Sequence, residues 1–327
     1  MTMRNQSASR GFKPFYLATL AITGMFALVI SSQAQLLVND NWSGGSRANP
    51  VPPTYADNNG VSVTGTEADG NPESAWFASN SASLTVAGSG DLRAAVPASS
   101  LSLYTYFTQP TTPISLTAAG QEVVLTMKFT PNGVIAANSS QAFNAALVLT
   151  PNGNRNTADG GVQNANYANG YAMFMNMSAS LANGNSFQLK KWALTTSGAL
   201  LGTSANWATA LGNGGTAGNT GYSVGTEYTF TMDLTLTASG LQINNSMTGG
   251  SVNNTGSMTV SYLDTSVTPG SGGVSFDTFD LRPGGSATGA SQLDINQFEV
   301  NLIPEPSTLA LVAAGLGLMV GMIRRRR

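Results

Sequence analysis

A strict alternation of apolar and polar residues over Glu227–Thr237 constrains the fold of this chain more than any other stretch. The apolar positions are Tyr228, Phe230, Met232, Leu234 and Leu236, and the positions between them are threonines and Asp233. Successive side chains of a β-strand point to opposite faces of the sheet, so the pattern predicts a half-buried antiparallel strand with one wet face. The apolar face then needs a second layer to cover it.

Short β-type runs separated by Gly, Asn, Pro and Ser occur along the whole central part of the chain, and helical periodicity is hard to find. The predicted strands are Leu36–Val38, Val61–Thr64, Ser74–Phe77, Ser83–Val86, Tyr104–Phe107, Val123–Thr130, Ala145–Leu149, Tyr171–Met177, Phe187–Trp192, Leu241–Ile243, Ser257–Leu263, Val274–Phe276, Phe279–Leu281 and Leu293–Val300. This pattern predicts an all-β fold, an antiparallel two-sheet sandwich or jelly roll. A β-helix is the alternative, and the lack of a fixed repeat period argues against it.

Four local features make this prediction more specific. Tyr171–Met177 is apolar on both faces, which predicts a central strand. The repeated sequence Thr-Pro-Asn-Gly at 130–133 and 150–153 predicts two turns. Apolar residues fall out of phase within Leu293–Val300, so a β-bulge is expected near Asn296-Gln297. Residues 202–221 are rich in Gly and Asn and are predicted to form a long exposed loop.

The N-terminus has the three regions of a secretory signal peptide. Basic residues precede an apolar run, Phe15–Ile30, and Ser32 and Ala34 supply the small residues that signal peptidase requires. We therefore expect cleavage between Ala34 and Gln35, and export through the secretion machinery. An uncleaved N-terminal anchor is the alternative.

The C-terminus combines a helix-breaking motif, an apolar run and a basic cluster. Pro304, Glu305 and Pro306 precede the uncharged run Leu309–Ile323, and the chain ends in Arg324, Arg325, Arg326 and Arg327. Fifteen residues of helix span roughly 22 Å, which suits a thin or transient crossing of a hydrocarbon core of about 30 Å. The positive-inside rule keeps the arginines on the cytoplasmic side and leaves the body outside. A buried helix of a soluble domain is the alternative.

This tail resembles the PEP-CTERM sorting signal recognised by exosortases in Gram-negative bacteria. The resemblance covers residues 303–327. It implies transient insertion in the inner membrane, cleavage close to Pro304-Glu305-Pro306 by an exosortase, release or attachment at the cell surface, and an association with exopolysaccharide or biofilm matrix. Three features of the body resemble a concanavalin/laminin-G-like jelly roll: the strand from Tyr228, the segment Phe276-Asp277-x-Phe279, and the closing strand Leu293–Val300.

Charge and composition exclude several functions for the body between the two targeting segments. Seven of the fourteen Lys and Arg residues lie in those segments, while fifteen of the sixteen Asp and Glu residues lie in the body, so the body carries about −8 rather than −2. An acidic body argues against nucleic acid or an anionic membrane surface as a partner. The chain has no Cys and no His, which excludes disulfides, His-dependent triads and His-ligated zinc.

Three kinds of site remain open after these exclusions. Ca²⁺ is the one cofactor considered, because hard cations take carboxylate ligands; the candidate ligands are Asp264, Asp277, Asp280, Asp294 and Glu299. No calcium-loop motif is present, and solvated turn or edge residues are the preferred interpretation.

A glycosidase needs two carboxylates across the scissile bond, for which Glu122, Glu227 and Asp233 are candidates. Aromatic residues could stack on sugars; Trp76 and Trp192 are expected in the core, whereas Trp207 lies in a polar stretch and is the predicted glycan-binding residue.

The sequence therefore predicts three segments: a signal peptide at 1–34, a β-sandwich body at 35–303 as one large domain or two smaller ones, and a sorting signal at 304–327. The leading interpretation is an exported, non-enzymatic surface or extracellular-matrix protein with a structural or adhesive role in exopolysaccharide. Its expected partners are signal peptidase, an exosortase, the inner membrane and an exopolysaccharide. A carbohydrate-binding module and a carboxylate-based polysaccharide hydrolase or lyase are the alternatives.

Overall fold

The computed structural model describes residues 34–45, 47, 75–88, 90–108, 111–151, 154–156, 158–160, 167–193, 201, 205–207 and 209–305. The predictions for the signal peptide, Val61–Thr64, Pro306, the apolar run of the tail and Arg324–Arg327 lie outside these residues. Residues Ala34–Pro304 form one compact unit.

The described residues contain strands joined by short 3₁₀ turns. The strands are β1 (Gln35–Asp40), β2 (Trp76–Ala78), β3 (Leu84–Val86), β4 (Leu92–Ala95), β5 (Leu103–Tyr106), β6 (Ile114–Leu116), β7 (Glu122–Asn132), β8 (Ala137–Asn138), β9 (Phe143–Leu149), β10 (Asn169–Met175), β11 (Ser180–Leu181), β12 (Phe187–Lys191), β13 (Thr209–Asn213), β14 (Tyr228–Leu236), β15 (Leu241–Thr248), β16 (Ser257–Asp264), β17 (Val274–Phe276), β18 (Thr278–Pro283) and β19 (Gln292–Ile303). The 3₁₀ turns are Ser81–Ser83, Ala205–Trp207, Val252–Asn254 and Pro269–Ser271.

Two large antiparallel sheets form the body, as the alternating pattern predicts. The eight-stranded sheet has the order β16-β15-β14-β7-β19-β4-β3, with β1 pairing to β19. The seven-stranded sheet has the order β13-β12-β10-β9-β18-β5-β2. Two small sheets, β8–β11 and β6–β17, complete the fold. The protein is therefore an all-β antiparallel sandwich.

The main core lies between the two large sheets. It joins the apolar faces of β7, β14 and β15 from one sheet to those of β9, β10 and β18 from the other. Trp76 is fully buried there and makes edge contacts with Trp42, Phe279 and Phe298 at ring-centroid distances of 6.0, 6.0 and 5.0 Å. Aromatic residues bury large apolar areas, so this cluster contributes strongly to the cohesion of the two sheets.

Several strand predictions are confirmed in detail. β10 lies between β9 and β12, and its two faces contribute to two different apolar clusters, with Met173 in the main core and Phe174 on the other side. The register of β19 against β7 shifts between Ile295 and Gln297, which is the predicted bulge.

Two local predictions are wrong. The stretch Thr130–Asn132 continues β7 instead of turning, with Pro131 paired to Leu293 of β19. On the other side of β7, the pairing with β14 ends where Tyr228 lies opposite Phe129. Pro131 therefore removes no hydrogen bond between β7 and β14. The segment at 202–221 also contains a strand, β13, which pairs with β12. A Cβ at Gly212 would lie 2.7 Å from Val260 Cγ2, so glycine is needed for close packing rather than for a loop.

The two ends of the body lie side by side. β19 is flanked by β7 along its whole length and by β1 at its C-terminal part, where Gln35 pairs with Leu302 and Leu36 with Asn301. The ladder ends at Ile303, and Pro304 follows without an N–H to continue it. The residue after the predicted signal-peptidase cut therefore sits beside the start of the sorting motif.

Candidate functional site

Part of the sorting motif follows directly on the last strand. Pro304 and Glu305 are the first two residues beyond β19, and Glu305 is exposed. At the other end, Ala34 is exposed and Gln35 opens β1. Among the residues that the structure describes, none forms a helix long and apolar enough to cross a membrane.

The five carboxylates considered as calcium ligands lie at separate places. Asp264 ends β16, Asp277 precedes β18, Asp280 lies within β18, and Asp294 and Glu299 lie in β19. The described part of the chain holds no group of three or more acidic side chains that could bind a metal ion. The clustering of these residues in sequence does not become a cluster in space, because β18 and β19 belong to different sheets.

Asp264 connects the two large sheets. Its carboxylate accepts hydrogen bonds from Lys191 Nζ and Tyr171 Oη, both at 2.6 Å, and from the Ser266 hydroxyl at 2.6 Å. Burial alone would raise the pKa of Asp264, but these hydrogen bonds outweigh burial and lower the pKa to about 2. Asp264 is thus an ionised structural anchor whose oxygens are already occupied.

Asp277 fixes a loop over the outer face of the seven-stranded sheet. Arg155 Nη2 donates to Asp277 Oδ2 at 2.6 Å, and Thr150 N and the Thr278 hydroxyl donate to Oδ1 at 2.8 and 2.7 Å. Burial raises the pKa of Asp277, and the charge of Arg155 offsets only part of that effect. A buried ion pair with this many partners holds Arg155 and its neighbours at 154–156 in place.

Asp280 is a fully buried carboxyl on the same outer face. Tyr167 Oη donates a hydrogen bond to Asp280 Oδ2, whereas Oδ1 is buried and has no hydrogen-bond partner among the described residues. Burial raises the pKa of Asp280 well above its usual range, despite the hydrogen bond from Tyr167. The pKa of Tyr167 is raised as well, by burial first and then by Asp280. Burial thus favours the protonated, uncharged form of both groups.

Two of the three glycosidase candidates meet on the outer face of the eight-stranded sheet. Glu122 lies diagonally across from Asp233, since Glu122 pairs with Thr235 and Asp233 with Val124. Burial raises the pKa of Glu122, and the charge of Asp233 and a hydrogen bond between the two carboxyls raise it further. Glu227 precedes β14 at its opposite end.

Trp207 is not a surface residue, so its prediction as an exposed stacking ring is wrong. Its side chain is 1% exposed, and its ring packs at 5.2 Å from Trp192, 6.1 Å from Phe174 and 6.2 Å from Tyr167. The polar residues around Trp207 in sequence suggested exposure, but the 3₁₀ turn Ala205–Trp207 folds the ring over the outer face of β10. Trp76 and Trp192 are buried, as expected.

The outer face of the eight-stranded sheet presents a row of hydroxyl groups that the sequence interpretation did not single out. Cross-strand pairing aligns Thr126, Thr231, Ser246 and Thr259 on β7, β14, β15 and β16. None of these four hydroxyls makes a hydrogen bond within the described part of the protein, and all four residues are partly or fully exposed. Neighbouring strands lie about 4.8 Å apart, so the row offers evenly spaced, uncharged donors and acceptors. The alternating threonines of β14 were the available signal.

The fold and this site define an antiparallel β-sandwich with a row of hydroxyl groups across the outer face of one sheet. Residues 302–327 match the family model of the PEP-CTERM protein-sorting motif, which confirms the resemblance of the tail. No curated protein sequence matches the chain.

Solved structures with a similar arrangement of strands include several lectins. The Lotus tetragonolobus seed lectin is 12% identical to this chain. The superposition covers 71% of this chain and 94% of the lectin chain, with a TM-score of 0.40. The Ca²⁺- and mannose-bound exoplasmic/lumenal domain of VIP36 is 13% identical, and the superposition covers 70% of this chain and 83% of the VIP36 domain, with a TM-score of 0.41. The potassium-bound carbohydrate recognition domain of Emp46p is 8% identical, with coverages of 69% and 87% and a TM-score of 0.43.

Proposed function

We propose that this protein is an exported, non-enzymatic protein of the cell surface or extracellular matrix, processed by an exosortase, with a structural or adhesive role in exopolysaccharide. The observation that carries the proposal is the match of residues 302–327 to the PEP-CTERM sorting motif. Pro304 directly follows β19, the last strand among the described residues, so a cut after Ile303 removes no part of the described sheets.

The proposed route follows from the two targeting segments. Signal peptidase cuts between Ala34 and Gln35, and the apolar run of the tail holds the chain in the inner membrane of a Gram-negative bacterium with Arg324–Arg327 on the cytoplasmic side. The exosortase then cuts near Pro304-Glu305-Pro306 and transfers or releases the body. Three segments therefore have three roles: 1–34 for export, 35–303 for the mature body and 304–327 for sorting.

The mass of the mature protein tests this proposal. Protein recovered from cells that contain the processing enzyme should begin at Gln35 and lack Arg327, and protein from cells without that enzyme should retain Arg327. Replacement of Glu305 by Gln, with Glu299→Gln as the control, should block processing only at the motif. A mature chain that keeps Arg327 in both cell types would refute the sorting role.

A second candidate function is carbohydrate binding at the hydroxyl row of the eight-stranded sheet. Four unpartnered hydroxyls at regular spacing suit a neutral polysaccharide, which presents repeated hydroxyl groups and no charge of its own. The double replacement Thr126→Val and Thr231→Val removes two hydroxyls at nearly constant volume. Binding to immobilised neutral glycans should fall in this variant and persist in the control Thr85→Val, which changes an exposed threonine of β3. Equal binding by both variants would refute this candidate.

Enzymatic activity and a bound calcium ion receive less support. Glu227 lies at the other end of β14 from Glu122 and Asp233, and the matched region at 302–327 is a sorting motif rather than a catalytic family. Calcium stays a hypothesis about the body: the potassium and calcium ions named above belong to Emp46p and VIP36.

A further inference from the structure

Both processing points lie at one end of the sandwich. Gln35 pairs with Leu302. The same end of the eight-stranded sheet carries the start of β7, the end of β14, the start of β15 and the end of β16. The pairings show this: Glu122 pairs with Thr235, and Leu241 pairs with both Leu236 and Asp264. We call this region the terminus-bearing end. It consists of Gln35, Ile303 and the loops 117–121, 237–240 and 265–273.

The three loops of the terminus-bearing end are tightly fixed. Gly120 N donates to Leu236 O at 2.7 Å, and Leu236 N donates to Gln121 O at 2.8 Å. A Cβ at Gly240 would lie 2.6 Å from Asp264 O, and one at Gly273 would lie 1.8 Å from Leu116 O. These contacts join each loop to a neighbouring strand, so the loops form a defined surface.

The loops of this surface carry no charge, although the body as a whole is acidic. The loops 117–121, 237–240 and 265–273 contain no Asp, Glu, Lys or Arg. Next to the loops, Asp264 is paired with Lys191 at 2.6 Å, while Glu122 and Asp233 lie side by side and exposed Glu305 follows β19. A surface of small, uncharged residues can approach an anionic lipid headgroup layer without the repulsion that the rest of the body would meet.

The lengths of the connecting segments bring this end close to the bilayer. Four residues separate the apolar run Phe15–Ile30 from Gln35, and five separate Ile303 from the apolar run that begins at Leu309. Fully extended, these segments reach at most about 14 and 18 Å. The headgroup layer takes up roughly 6 Å of that length. The opposite end of β14 is nine residues away, which is about 30 Å.

We propose that the terminus-bearing end is the surface that the body turns toward the lipid headgroups of the inner membrane, and that the sandwich completes the β1–β19 pairing while both chain ends are still inserted. This inference rests on the proposed sorting function. It adds the orientation of the body relative to the membrane and the order of two events. The body folds first, and the exosortase then acts on a motif that starts at Pro304, directly after β19.

Single-cysteine labelling tests the orientation, because the chain has no native cysteine. Ser239→Cys and Ser271→Cys place a fluorophore at the terminus-bearing end, and Val224→Cys and Ser251→Cys place one at exposed positions of the opposite end. The full-length chain is inserted into phosphatidylethanolamine/phosphatidylglycerol vesicles that contain a headgroup spin-labelled lipid. We expect loss of fluorescence at positions 239 and 271 and none at 224 and 251.

Each other outcome overturns the proposal in a recognisable way. Equal quenching at both ends, or stronger quenching at 224 and 251, refutes the orientation alone. Vesicle-bound protein without quenching at any position refutes contact with lipid. If the fluorophores at 239 and 271 become protected from the aqueous solvent only after the exosortase is added, the surface contacts that enzyme and not the lipid. A chain that fails to float with the vesicles refutes the anchoring by the tail, and with it the proposed function.

A disulfide tests the order of folding and processing. Gln35→Cys with Leu302→Cys places two thiols on directly paired residues, within the Cα range of about 4.4–6.8 Å that a disulfide needs. Gln35→Cys with Glu299→Cys is the control, since Glu299 pairs with Asn39 instead. The first variant should form its disulfide in the vesicle-bound, uncut precursor and the second should not. A disulfide that appears only after the tail or the signal peptide is removed would overturn the proposed order.

Discussion

Replacing Asp280 with asparagine should change how the stability of this protein depends on pH. Asp280 is fully buried and its pKa is raised well above its usual range by burial. The folded state therefore keeps the carboxyl proton that the unfolded chain, with a pKa of about 3.9, has already released. Because the folded state binds more protons, the free energy of unfolding falls as the pH rises from the unfolded pKa toward the folded one.

The expected magnitude follows from proton linkage. Each pH unit within that window lowers the stability of the native protein by at most about 1.4 kcal/mol through this one group. The amide introduced by Asp280→Asn would be neutral in both states and could still accept the hydrogen bond from Tyr167. The variant should thus be similar to the native protein near pH 4 and more stable at pH 7.

Urea unfolding followed by tryptophan fluorescence at pH 4, 5, 6 and 7 measures this difference. Tyr167→Phe is the matched control: it removes the hydrogen bond to Asp280 at a cost of about 1–3 kcal/mol and leaves the carboxyl in place, so its pH dependence should keep the same sign as that of the native protein. Parallel curves for the native protein and Asp280→Asn would show that Asp280 is ionised in the folded state and would refute the argument.

Three further predictions concern other parts of the fold. Trp76→Ala should lower the free energy of unfolding by about 3–5 kcal/mol, measured by urea unfolding, because the ring is fully buried between the sheets; an effect below that of an exposed Thr85→Val change would contradict this. Asp264→Asn should remove acid sensitivity below about pH 4, since the folded pKa is lowered to about 2 and that stabilisation is lost as the pH falls; circular dichroism from pH 4 to pH 2 measures it. Adding Ca²⁺ should leave the melting temperature unchanged, because Asp264, Asp277 and Asp294 already have basic partners; a rise would restore the calcium hypothesis.

The strands and their buried faces were largely predictable from the sequence. In β14 and in β7 from Leu125 to Phe129 the alternation of apolar and polar residues is local information, and it matches the alternating burial of the residues. The bulge in β19 was predictable for the same reason, since a phase change in the apolar pattern needs an extra residue. β13 was not predictable, because its strand character depends on pairing with β12 and on the close approach of Gly212 to Val260.

The candidate sites depended on contacts between residues far apart in the chain. Trp207 looked exposed among polar neighbours, and only the packing of Tyr167, Phe174 and Trp192 shows that it is buried. Asp277 and Asp294 looked like parts of one acidic cluster, but they pair with Arg155 and Arg93 in different sheets. No local pattern encodes such pairings, because the partners are 122 and 201 residues apart.

The sequence by itself determined the sorting motif at the C-terminus and the two-faced character of the strands. Both are local: the sorting tail is a contiguous order of motif, apolar run and arginines, and alternation needs only neighbouring residues. Only the tertiary structure decided which strands are neighbours, and thereby placed Gln35 beside Leu302 and aligned the hydroxyls of four strands. Strand pairing joins residues at the two ends of the body because burying the apolar faces of both sheets selects one register among many.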